Sequence, residues 1–69
     1  MERLQDVLKR YLGQPLTIVY LQEEHIEIVA AKVIGVQEDS ILLEGFRPIA
    51  YEEIQSIAAG DTVIYERES

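Results

Sequence analysis

Cysteine is absent from this sequence of 69 residues, and histidine occurs once. The first absence excludes disulfides, and the two together exclude the Cys/His cluster of a structural zinc site. A chain this short buries only about 60% of the surface that its unfolded form exposes. With both staples excluded, stability must come from a regular core or from a partner, and self-association is the expected source. Basic residues are also scarce: six Lys and Arg stand against thirteen Asp and Glu, for a net charge of -7, and Lys9-Arg10 is the only adjacent basic pair. Affinity for nucleic acid comes chiefly from clustered cations that release counterions, and a field of this sign repels phosphates. Nucleic acid is therefore a disfavoured partner. No apolar run approaches the ~18 residues of a membrane span, and MERLQDVLKR has neither the apolar stretch nor the small-residue cleavage site of a signal peptide. The expectation is a cytoplasmic protein without membrane contact. Gly13, Gly35, Gly45 and Gly60 are isolated from one another, which excludes a glycine-rich phosphate loop.

What is present is hydrophobic. At 48% hydrophobic residues the chain reads as folded despite its charge. Leu4, Val7, Leu8, Tyr11 and Leu12 recur at helical spacing, with Glu2, Asp6, Lys9 and Arg10 off the stripe. This predicts a helix over about 2–12, stopped by Gly13 and Pro15. Its stripe is expected to cover one end of a barrel. The period then changes. Leu16–Leu21 is rich in β-branched and aromatic residues, His25–Val36 is long enough for a bent strand, and short strands are expected at Ile41–Glu44, Ile49–Tyr51, Ile54–Ala58 and Thr62–Tyr65. In the long strand Ile26 and Ile28 face one way while Val29, Val33 and Val36 are also apolar, so the alternation slips near Ala30-Ala31. That slip predicts a bulge or bend there. Tyr51-Glu52-Glu53 reads as a tight turn, and the tail Glu66-Arg67-Glu68-Ser69 as frayed. With no repeat, linker or low-complexity tract, residues 1–69 read as one domain of the mainly β (α+β) class: an N-terminal helix and a small five-stranded antiparallel barrel, with strands over about 16–65.

The order of helix, strand, bent strand, Ser40-Ile-Leu-Leu-Glu44 strand and then Ile49-x-Tyr51-x-x-Ile54-x-x-Ile57 resembles the Sm-like fold, a relative of SH3-like barrels. Within it the pattern is most similar to the bacterial RNA chaperone Hfq. Leu4-Gln5-Asp6 resembles the opening of that family's helix, and Leu16–Leu21 its first strand. Tyr51-Glu52-Glu53 occupies the place of the family's Tyr-Lys-His segment, which the resemblance implies would bind uridine in the pore of a ring. Here two glutamates stand where the basic residues belong. Ala30-Ala31 replaces the glycine common in the bent strand, and Gln37 stands about where an aspartate is expected. Gly60-Asp61-Thr62-Val63 is similar to the Arg-Gly-Asp-Asn run of other Sm proteins, but with Ala59 in the arginine's position. Either alignment loses its RNA-contacting cation. The strand pattern is also similar to the YolD-like bacterial domains. Fold alone does not transfer function.

His25 lies beside Glu24 and Glu27, yet a metal needs several converging ligands, so a plain surface histidine is the better reading. Glu23-Glu24 and Glu38-Asp39 lack the spaced oxygens and glycine of a calcium loop and read as solvated turns. Ser40 has no histidine near it in sequence and no nucleophile-elbow pattern, so no enzyme, metal or cofactor is expected. Phe46, Tyr51 and Tyr65 read as packing residues, since few cations accompany them. The expected function is a non-catalytic protein-interaction or assembly module. Tyr51, Glu52 and Glu53 are its candidate partner-binding residues, for a basic protein, and Ile57, Thr62, Val63, Ile64 and Tyr65 its candidate edge for a homo-oligomer. The alternative is a divergent Hfq-like RNA-binding protein using Arg3, Lys9, Arg10, Lys32 and Arg47.

Overall fold

The computed structural model describes residues 3–68. Its N-terminal helix, α1, spans Leu4–Lys9, with Asp6 in the first turn and Lys9 in the last, each where the helix dipole favours its sign. Leu8 is fully buried, and Leu4 and Tyr11 pack partly against the same core. The helix is shorter than the expected 2–12. Beyond Lys9 the amides of Arg10, Tyr11 and Leu12 reach back only three residues, to Val7, Leu8 and Lys9, which tightens the last turn. Gly13 then takes a φ of 83° and donates to the Val33 carbonyl at 2.8 Å, while the Val33 N–H donates to the Gln14 carbonyl at 3.0 Å. These bonds draw the chain onto a strand before Leu12 can join the stripe. Leu12 is 49% exposed, a correction to its expected packing, and Val7 is half-buried. Glu2, the expected start, lies outside the described residues.

Among the described residues six antiparallel strands follow: β1 (Pro15–Gln22), β2 (His25–Val36), β3 (Ser40–Leu43), β4 (Ile49–Ala50), β5 (Ile54–Ala59) and β6 (Thr62–Glu66). Their spatial order is β4-β3-β2-β1-β5-β6. The mainly β reading with one N-terminal helix therefore holds. The five-stranded closed barrel does not: each of the six expected segments forms its own strand, so the count of five is too low, and β4 and β6 are free edges with no ladder joining them. β6 pairs along the side of β5 that a closing strand would use. β4 is two residues long and gives way to a 3-10 turn, Tyr51–Glu53, which carries the chain to β5.

The long strand β2 serves both halves of the sheet. Residues 25–32 pair with β1, and Val33, Gly35 and Val36 pair with β3. Val33 stands opposite Leu43 and Gly35 opposite Leu42, so Ile34 is the extra residue of a bulge. The expected irregularity at Ala30-Ala31 is thus misplaced, because those residues pair in unbroken register with Thr17 and Leu16. Alternation never slips in this stretch. Val29, Ala31 and Val33 line the core side while Ile26 and Ile28 face outward, so both faces are apolar and the sequence pattern blurs. A Cβ on Gly35 would stand 3.0 Å from Leu42 Cδ1, and glycine there admits the close approach of β3. Leu8, Leu16, Ile18, Tyr20, Val33, Ile41, Leu43, Ile49, Ile54 and Ile57 meet in one buried cluster, which gathers α1 and every strand except β6.

Candidate binding cleft at the Tyr51 turn

The 3-10 turn is fixed from three sides. The Ala50 N–H donates to Glu53 Oε1 at 3.3 Å, so the carboxylate caps the turn that contains it. Arg67, beyond β6, donates from Nη2 to the carbonyls of Tyr51 at 2.9 Å and Glu52 at 2.8 Å, and from Nε to that of Ile54 at 2.9 Å. Its backbone N–H also donates to Gln55 O at 2.8 Å. Charge-assisted bonds of this kind are stronger than neutral ones, and they overturn the expectation of fraying at Glu66 and Arg67: Glu66 belongs to β6 and Arg67 clamps the turn, while Ser69 lies outside the described residues. On the third side the Tyr51 N–H donates to Asp39 O at 3.1 Å, and the Tyr51 hydroxyl donates to Gln37 O. Burial, with a smaller contribution from the Asp39 carboxylate, raises the Tyr51 pKa above its ordinary value.

Beside this turn lies an open cleft of about 500 Å³ lined by Asp39, Glu52 and Glu53 together with Ser40, Pro48 and Ala50. The three sequence-chosen residues Tyr51, Glu52 and Glu53 all line it. Asp39 joins them through the β2–β3 turn, which sequence spacing alone did not connect to Tyr51. Ser40 is nearly buried and donates its hydroxyl to Gln37 Oε1 at 2.9 Å. His25 is exposed at the start of β2, paired with Gln22 at the hairpin end, and does not line the cleft. Glu53 Oε2 lies 3.5 Å from Arg47 Nη2, with both side chains partly exposed, a pair of modest energy. No group of three or more His, Cys, Asp or Glu among the described residues is placed to hold a metal ion.

Arg47 has a second role that sequence reading missed. Its guanidinium stands 5.5 Å from the Tyr20 ring centroid and 6.0 Å from that of Phe46, the two rings meeting edge to face at 5.9 Å. It also donates to Pro48 O at 3.0 Å and to Gln22 Oε1 at 3.3 Å. This cation packs on protein rings and, with Tyr20, Phe46 and Ile34, lines a shallow open depression.

The candidate edge divides. Ile57 is fully buried in β5, paired with Ile18 of β1 and Tyr65 of β6, and so does not lie on an edge. The Gly60-Asp61 turn, which folds β6 back onto β5, was the local signal that Ile57 is covered. Thr62, Val63, Ile64 and Tyr65 do lie on the free edge strand. No family model, curated protein or solved structure matches the chain. No helix among the described residues is long and apolar enough to cross a membrane.

Proposed function

We propose that the chain is a non-catalytic protein-interaction and assembly module, built on a sheet of Sm-like, barrel-related order, whose cleft at Tyr51–Glu53 receives a basic segment of a partner protein. The observation that carries this reading is the cleft itself: Asp39, Glu52 and Glu53 share one open concavity whose backbone Arg67 holds in place. A preorganised acidic site loses little freedom on binding, and complementary charge speeds encounter with a Lys or Arg side chain. The same charges repel a phosphate backbone. The Tyr51 hydroxyl is already engaged by Gln37 O, so Tyr51 serves packing. The open edge of β6 is the route by which a partner strand, or a second copy, adds to the sheet.

The test is titration calorimetry of the full chain with a Lys/Arg-rich peptide and, in parallel, with uridine-rich and adenine-rich RNA at near-physiological salt. Peptide binding that weakens with salt and is lost in the Glu52→Lys, Asp39→Asn variant is expected. Tight, salt-sensitive RNA binding by the parent overturns the reading in favour of a divergent Hfq-like protein.

A further inference from the structure

Residues 25–32 of β2, with β1, form a ladder whose outward face is also apolar. Its register sets Ile28 beside Val19 and Ile26 beside Leu21, with Ala30 beside Thr17 one step further along. Ile26 is 59% exposed and Ile28 68%. No charged side chain stands among these residues. Lys32, next on the same face, closes one end, and the turn at Glu23 and Glu24 closes the other. We infer that this face packs against the same face of a second copy, about a two-fold axis that crosses the strands at Ile28 and Val19.

Such an axis sets each β2 position over the one equally far from Ile28 in the other copy. Ile28 then meets Ile28, the small Ala30 meets the larger Ile26, and Lys32 meets the acidic turn at Glu24, twice by symmetry. On β1, Thr17 meets Leu21 in the same way. Over β1 and β2 the face is its own complement in size and in charge, as a two-fold interface requires. Stacked sheets keep their strands within about 30° of each other, which this arrangement satisfies. Same-face residues about 6.8 Å apart along strands about 4.8 Å apart give β1, β2 and β5 a footprint of about 20 by 15 Å. That is well below the ~800 Å² per partner of a standard interface, so the dimer is weak and dilution-sensitive. The inference is independent of the acidic cleft and survives if that site binds nothing.

The experiment is sedimentation equilibrium of the full chain from micromolar to millimolar concentration, with thermal melting of every variant to establish that it folds. The parent is expected to pass from monomer to dimer over that range. Ile28→Glu, which sets two carboxylates against each other at the axis, weakens association more than about a hundredfold, and the milder Ile28→Thr weakens it less. Lys32→Glu alone weakens it several-fold, and Glu24→Lys added to Lys32→Glu restores it. A parent that stays monomeric overturns the inference, including the case in which the same face binds phospholipid vesicles instead. So does a dimer that Ile28→Glu leaves intact, which places the contact elsewhere, the β6 edge included.

Discussion

Leu16, Ile18 and Tyr20 on the inner face of β1 are buried, whereas Leu21 and the Ile26 and Ile28 side chains paired along its outer face stand in solvent. The residue types on the two sides are nearly the same; only the inner set has α1, β3, β4 and β5 to pack on. Apolar character in a strand therefore does not say which face the fold uses, and the surplus on the outer face is available for association. The sharpest check of this contrast is a pair of truncations. Ile18→Ala, or Leu8→Ala on the helix that covers the core, is expected to cost about 2 to 5 kcal/mol, because each removes a fully buried side chain. Ile28→Ala should change the stability of the monomer by no more than about 0.5 kcal/mol. Urea denaturation at low concentration measures both, and equal losses would erase the distinction between the faces.

A second check replaces apolar packing with polar clamping. Arg67→Ala strips hydrogen bonds from the carbonyls of Tyr51, Glu52 and Ile54, and should cost about 1 to 2 kcal/mol, since those carbonyls are partly open to water. Arg67→Lys, with a single point charge and no fork, should recover only part of this. Faster hydrogen exchange confined to residues 51–55 is the expected signature. Loss of protection throughout the core would mean that the clamp supports more than the turn.

The hairpin between the two faces offers a gain. Glu23 and Glu24 both hold positive φ, 49° and 69°, as a two-residue type I′ turn demands and as glutamate resists. Glu23→Asn with Glu24→Gly should stabilise the monomer by about 1 kcal/mol. It would also remove the acidic turn that faces Lys32 across the inferred dimer, so melting temperature rises while association weakens. A rise in both would separate the turn from the interface. A smaller effect belongs to Tyr51. Its folded pKa is raised by burial and by Asp39, so its contribution is fully present below the ordinary tyrosine value near 10 and is lost as pH rises through the folded pKa. Tyr51→Phe should flatten part of the alkaline fall in stability, measured by urea midpoints from pH 8 upward.

Much of the fold was legible locally. The left-handed turn at Gly13, the strand at Leu16–Leu21 and the tight turn at Tyr51–Glu53 follow from residue types whose backbone preferences act over a few positions, although the helix itself ends earlier, at Lys9. What was not legible depends on partners distant in sequence. Ile34 bulges because β3 pairs with the far end of β2, and Ala30-Ala31 looked irregular only because both faces there are apolar. Ile57 is the exception: the Gly60-Asp61 turn between two strand-like runs is a local hairpin signal, and it returns β6 to cover β5. In the cleft, Tyr51, Glu52 and Glu53 were readable as a unit, while Asp39 and Arg67 reach them only through the folded sheet.

The finest test concerns the far end of the outer face. Glu66 pairs with Ser56, which pairs with Val19, so Glu66 lies in the same row as the inferred axis. There it faces its own copy, and two like charges oppose each other. Twist between neighbouring strands turns β6 away from a partner centred on β1 and β2, which keeps that repulsion small. Glu66→Gln should therefore tighten the dimer modestly, by about twofold to fivefold, as removal of an exposed charge pair worth up to about 1 kcal/mol allows. The gain should shrink as salt rises, because screening already weakens the repulsion in the parent. Sedimentation at two ionic strengths reads both effects. Weaker association of Glu66→Gln would place Glu66 beside a cation of the other copy, and so move the axis off the row of Ile28 and Val19.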